Sequence, residues 1–308
     1  MEKVIFDTDI GVDDAFALAY AAKSVDILGI TTVFGNVPVG QAVSNARLFS
    51  QKISLDVPVY RGCSRPLAHQ PTVPAWDVHG KDGLGGVFDN PWSGAAENAI
   101  EFIIRSVRAH PDALTLVAIG PLTNIATAIN QAPDIIPQIK QLVMMGGAFG
   151  SHGHSGNVTP FAEFNIWKDP HAADQVLCSG IPVVMLPLDV TLEVQLSAEE
   201  IRSLNHPVLS AISQGYMAYA LQKEGIAGMA LHDTLTLAYL NNPQWFGVTE
   251  SPVRVVTDRV SRGQTLRQLQ SPASIDDPFA GCPQQKICLT VDAPKVKAHF
   301  LTALRRAL

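Results

Sequence analysis

Four carboxylates crowd one short stretch of the chain. Asp7, Asp9, Asp13 and Asp14 fall within the run Val4-Ile5-Phe6-Asp7-Thr8-Asp9-Ile10-Gly11-Val12-Asp13-Asp14-Ala15. Carboxylates held so close repel one another, and a fold keeps them together only if positive charge sits among them or some stay protonated. No Lys or Arg lies between Lys3 and Lys23. A divalent cation answers that charge, and all-oxygen ligands without Cys or His favour Ca²⁺ or Mg²⁺ over Zn²⁺. Plain capping chemistry, with Asp13 opening a helix and Asp7 ending a strand, accounts for two of the four at most.

The elements that must hold these acids follow from the flanking pattern. Val4 to Phe6 is a brief apolar run of strand formers. From Asp13 onward Phe16, Leu18, Ala19 and Ala22 mark a helix. The unit is therefore strand, acidic turn, helix. An EF-hand loop starting at Asp7 would need Gly at its sixth position and Glu at its twelfth, where this chain has Val12 and Leu18. Asp7-Thr8-Asp9 after a strand also resembles the opening of haloacid-dehalogenase-type phosphatases, in which the first Asp is the nucleophile. That is the rival enzyme reading.

The longer pattern Asp7-Thr8-Asp9-x-Gly11-x-Asp13-Asp14-Ala15 resembles the signature of the inosine–uridine-preferring nucleoside hydrolases, with Ile10 where those proteins usually carry Pro. A second match lies far away in the chain, at Leu231-His232-Asp233-Thr234. The resemblance implies hydrolysis of the N-glycosidic bond of ribonucleosides, with Ca²⁺ held by Asp9, Asp14, Asp233 and the Thr123 carbonyl. It implies a metal-bound water as nucleophile, Asp9 as its base and His232 as acid toward the leaving base. Asp7 would orient its neighbours around the metal. Asp13, Asn36, His79, Met145, Asn157, Glu163 and Asn165 would contact the substrate, His79 near the base. Members of that family are commonly homodimers or homotetramers. A non-catalytic nucleoside-binding protein on the same scaffold is the other alternative.

Along the chain, Ile27–Val33 reads as a second buried strand, then a helix from about Gly40 to Ser50, and Val57–Tyr60 as an edge strand. Residues Arg65 to Pro91 form a long polar loop of the length that usually carries function, with His79 in it. Leu114–Ile119 and Gln141–Met145 are further strands, each running into a glycine turn. Gly120-Pro121-Leu122-Thr123-Asn124 enters a helix from Ile125 to Asn130. Asn157, Glu163 and Asn165 share a loop whose amides and carboxylate suit sugar hydroxyls. His152 and His154 sit in a preceding insertion and receive no role. Ile181–Thr191 reads as a buried strand capped by Leu188-Asp189-Val190-Thr191, with Asp189 structural. Ser197 to Gln222 is helical with a break at Pro207, and residues 223–230 suit a flap. Val253–Thr257 and Ile287–Val291 are strands expected to close the sheet before a final helix, Ala293 to Leu308.

This βαβ rhythm predicts an α/β chain: an open, mostly parallel Rossmann-like sheet with helices on both faces, in one domain spanning 1–308. Ligands of such sheets bind at the carboxyl ends of the strands, where Asp9 and Asn36 fall. Hydrophobic content of 47% with 16% charged residues suits a sizeable core, and a net charge of −6 argues against a nucleic-acid surface. No apolar run approaches membrane-spanning length. Cys63, Cys178, Cys282 and Cys288 show no C-x-x-C pairing. Reduced thiols in a cytoplasm are the simplest reading, with Cys282–Cys288 as the alternative pairing.

Overall fold

The computed structural model describes residues 1–68, 73–90, 95–269 and 276–305. The chain opens with β1 (Lys3–Thr8), α1 (Val12–Ser24), β2 (Asp26–Thr32), α2 (Val39–Lys52) and β3 (Val59–Arg61). The long loop that follows carries only the short α3 (Trp76–His79); its residues 69–72 and 91 lie outside the described ones. Then come α4 (Ala99–Ala109), β4 (Leu114–Ala118), α5 (Thr123–Gln131), β5 (Gln141–Met145), α6 (Phe164–Lys168), α7 (Pro170–Leu177) and β6 (Val183–Leu186). The remainder comprises α8 (Leu188–Thr191), β7 (Gln195–Leu196), α9 (Ala198–Arg202), α10 (Pro207–Tyr219), β8 (Met229–Ala230), α11 (Thr234–Asn241), β9 (Phe246–Ser251), β10 (Val253–Val255), β11 (Thr265–Arg267), β12 (Gln285–Val291) and α12 (Ala293–Arg305). Residues 306–308 of the expected last helix lie outside the described residues.

The main sheet has eight strands in the order β3-β2-β1-β4-β5-β6-β12-β9, all paired in parallel except β9, which runs antiparallel to β12. The chain winds outward from β1 through β2 to β3, then crosses back to β4 on the other side of β1. That reversal opens a crevice beyond the carboxyl ends of β1 and β4, where the acidic turn lies. Alternation along β1 divides the core between the two faces: Val4 and Phe6 join one apolar cluster, Ile5 the other. Helix α1 is buried over ten consecutive residues, Val12 to Ala21, because it is wedged between the sheet and helices α11 and α12. Its alanines permit that close approach. Pro207 opens α10 at the first helical position, where its missing N–H costs nothing.

Two expectations are corrected. Val253–Thr257 does not extend the main sheet: β10 pairs only with β11, in a separate ribbon, and the edge is β9. Pro252 separates β9 from β10, and the turned-away Val253 and Val255 bury their side chains in the apolar cluster that also holds α7 residues Val176 and Leu177. Second, the cysteines are not all reduced. Cys178 at the end of α7 forms a disulfide with Cys282, while Cys63 and Cys288 are free thiols. The cytoplasmic location rested on four reduced thiols, and this bond removes that support. Among the described residues no helix is long and apolar enough to cross a membrane.

Candidate active site

The β1–α1 turn buries all its acids, and each is held by a different set of neighbours. Asp14, in the first turn of α1, accepts Thr8 Oγ1 at 2.5 Å on Oδ1, and Gly11 N at 2.8 Å and Asn36 Nδ2 at 3.1 Å on Oδ2. Asp9 Oδ2 accepts the backbone N of Asn36 at 2.7 Å. Asp9 Oδ1 is buried without a hydrogen-bond partner among the described residues. Two glycines let the chain close over this carboxylate: a Cβ at Gly35 would stand 1.8 Å from Asp9 Oδ2, and one at Gly120 3.0 Å from Oδ1.

Asp233 arrives from the other end of the sequence, at the N-terminus of α11. Oxygens of Asp13, Asp14 and Asp233 lie within 4.8 Å of one another, a spacing that could hold a metal ion. Burial pushes the carboxyls of Asp9 and Asp233 well above the usual range, and the neighbouring carboxylates push in the same direction. Asp14 is likewise raised by burial, against the opposing pull of its Thr8 and Gly11 hydrogen bonds. Such a group of acids repels itself unless protonated or bridged by a cation. The metal-spaced set is Asp13, Asp14 and Asp233, without Asp9, whose buried Oδ1 has no hydrogen-bond partner among the described residues; an all-carboxylate set fits a hard divalent cation.

Above the acids lies a cavity of about 270 Å³. Every residue expected to contact substrate lines it: Asp13, Asn36, His79, Met145, Asn157, Glu163 and Asn165, together with His232 and Asp233. Glu163 caps α6, accepting Asn165 N at 2.8 Å and Ile166 N at 3.1 Å, and also takes Gly147 N at 3.1 Å. Burial raises its pKa to about 7 against those N–H groups. Asn165 Nδ2 donates to the carbonyls of Ile119 at 3.0 Å and Met145 at 3.2 Å. His79 Nδ1 accepts Val12 N at 3.1 Å, so the ring serves as an N-terminal cap of α1. Burial pulls His79 down to about 3 and His232 to about 4, so both imidazoles are neutral near pH 7. Tyr216, Tyr219, Phe164 and Val78 supply the apolar wall.

Three of the expected site residues do not line the cavity: Asp9, Asp14 and Thr123. Of these, Thr123 is turned to other partners. It opens α5, so its carbonyl points along the helix, where Thr127 Oγ1 donates to it at 2.7 Å, and its own hydroxyl donates to Asp169 at 2.7 Å. The cavity presents Ile119 instead, at the end of the same strand. Sequence reasoning missed Ile119, whose carbonyl accepts Asn165 Nδ2.

Asp7 also lies apart. It accepts Thr31 Oγ1 at 2.5 Å and Asn124 Nδ2 at 2.7 Å, tying β1 to β2 and α5, and burial raises it to about 7. Like Asp9 and Asp14, it does not line the cavity. His152 and His154 are engaged elsewhere, at Leu289 O and Glu193 Oε1. Asp189 accepts Phe149 N at 2.8 Å and Ser151 N at 2.5 Å, as a structural residue would. A buried Lys168, unremarked in the sequence, lies on α6 beside Phe164.

Comparisons with known proteins agree with this geometry. The family model of the inosine-uridine preferring nucleoside hydrolases matches residues 4–298. The chain is 36% identical to a probable uridine nucleosidase of Oryza sativa subsp. japonica, over 96% of this chain and 94% of that one. Among solved structures it is similar to a plant nucleoside hydrolase, with TM-score 0.93, 32% identity and 99% of each chain covered. It is also similar to a purine-preferring ribonucleoside hydrolase from Gardnerella vaginalis, with TM-score 0.89, 31% identity and 99% of each chain covered.

Proposed function

This chain belongs to the inosine-uridine preferring nucleoside hydrolase family, and we propose that it is a Ca²⁺-dependent enzyme that cleaves ribonucleosides to ribose and free base. The observation that carries the reading is the meeting of Asp13 and Asp14 with Asp233, more than two hundred residues away in sequence, beneath one cavity lined by amides and imidazoles. Asp9, Asp14 and Asp233 are the side chains we assign to the cation, with Asp13 within reach of it. When bound, Ca²⁺ would lower the pKa of a water and pair with the sugar hydroxyls.

The transition state for loss of the base carries positive charge on the ribose ring. The buried acids stabilise that charge where no bulk water screens it. Asp9, whose Oδ1 is not otherwise engaged, takes the proton from the attacking water. Asn36, Asn157, Glu163 and Asn165 bind the ribose hydroxyls, and Met145 packs beside them. A 2′-deoxy substrate leaves such polar groups unpaired and is disfavoured. His232 donates its N–H to the leaving base, with His79 second. Water is the nucleophile, and no covalent sugar intermediate forms, unlike the retaining O-glycosidases.

We further propose that the whole chain is one catalytic domain assembled as a homodimer or homotetramer. Incubation with inosine, uridine and a sugar phosphate, with and without chelator, tests the function. Free base released only without chelator is expected. Phosphate release, or no product from any substrate, would refute it.

A further inference from the structure

We propose that Thr191 is a positioning residue for this reaction: its hydroxyl fixes the His232 ring in the tautomer whose Nε2–H faces the cavity. The inference rests on the hydrolase reading above. Thr191 Oγ1 lies 2.8 Å from His232 Nδ1. The threonine is fully buried. A hydroxyl carries one hydrogen, and a neutral imidazole has one donor nitrogen and one acceptor. Among the described residues, His232 is the hydroxyl's one recorded partner. Were Nδ1 protonated, the buried hydroxyl hydrogen would have nothing to accept it. With the hydroxyl donating to Nδ1 both groups are satisfied, and the ring hydrogen resides on Nε2. His232 lines the cavity, so that N–H is available to a departing base.

Both sides of the contact are fixed by backbone. Thr191 ends α8, whose Asp189 accepts two N–H groups from the 149–151 turn. Beyond α8 the chain is laced to the segment carrying His232: Leu231 N donates to Val194 O at 2.9 Å, and β7 pairs antiparallel with β8. The ring therefore cannot turn freely about the hydroxyl. Its tautomer is set by a residue that touches neither metal ligand nor substrate.

The test is a long-range ¹H–¹⁵N spectrum of histidine-labelled, Ca²⁺-loaded protein, with His232 assigned by its loss in His232→Gln. Wild type and Thr191→Ser should show the Nε2–H tautomer, and Thr191→Val a mixture. In kinetics, Thr191→Val should lose roughly 10- to 100-fold in kcat/KM on inosine or uridine, no more than general acid assistance is worth. It should lose less on p-nitrophenyl riboside, whose leaving group needs no proton, and Thr191→Ser should restore both. An Nδ1–H tautomer in wild type overturns the proposal. So does a Thr191→Val protein with unchanged tautomer and unchanged leaving-group dependence. If Thr191→Val does not fold, the wild-type and Thr191→Ser spectra decide. A folded wild type with the predicted tautomer but no hydrolysis refutes the hydrolase reading itself, and with it any catalytic use of the contact.

Discussion

Gly35 sits so close over Asp9 that a Cβ there would come within 1.8 Å of the carboxylate Oδ2. The same turn donates Asn36 N to that oxygen at 2.7 Å, so glycine both makes room for the acid and aims it. Gly35→Ala is predicted to rotate Asp9 away from its partner. Ca²⁺ affinity and kcat should each fall, on the order of 10- to 100-fold, as when an orienting neighbour of a metal ligand is lost. Calorimetric Ca²⁺ titration alongside circular dichroism checks this. A folded variant with wild-type affinity would show that the close approach does not govern Asp9.

The disulfide gives a second prediction. Cys178 and Cys282 are 104 residues apart, and bridging a loop of that length constrains the unfolded chain strongly. Cys282→Ser should cost about 2–4 kcal/mol in urea denaturation. Thiol titration of denatured but unreduced protein should find two thiols, Cys63 and Cys288. Four thiols would contradict the bond.

Lys168 supplies a pH dependence. Its side chain is buried, with Nζ donating to Val73 O at 2.5 Å and lying 4.6 Å from the Phe164 ring centroid. Burial pulls its pKa down to about 8 from the ordinary 10.5, outweighing the opposing influence of Asp9. Between those values the unfolded chain holds the proton and the folded protein does not, so stability at this position rises with pH across that window. Below about 8 both states hold the proton and the contribution is flat. Relative to Lys168→Met, wild type should gain at most about 1.4 kcal/mol per pH unit between those pKa values. Urea midpoints of the two proteins that shift in parallel across that range would refute it.

The parts of the site that could be read from sequence are those whose chemistry sits in side chains on a local strand–turn–helix. Asp9, Asp13 and Asp14 announce themselves by crowding, and Asp233 by opening a helix after His232. The βαβ order gave the parallel sheet and its switch point for the same reason: period and turn chemistry are local. What escaped notice depends on geometry that residue type does not encode. Thr123 does not line the cavity, and its carbonyl accepts Thr127 Oγ1, a placement that residue type does not encode. Val253–Thr257 has strand composition, yet its partner was hidden in the short run Thr265-Leu266-Arg267. Cys178 and Cys282 have no sequence spacing that marks a pair, and Thr191 looks like any residue at a strand end until His232 is folded against it.

The central claim is that acids from both ends of the chain share one cation and that hydrolysis depends on it. Chelator-treated protein titrated with Ca²⁺, followed by calorimetry and by inosine or uridine cleavage, tests it most directly in wild type and Asp233→Asn. Wild type should bind one ion per chain, with activity returning at the same stoichiometry, and Asp233→Asn should lose both together. Full activity in metal-free wild type, or undiminished Ca²⁺ binding in Asp233→Asn, would contradict it.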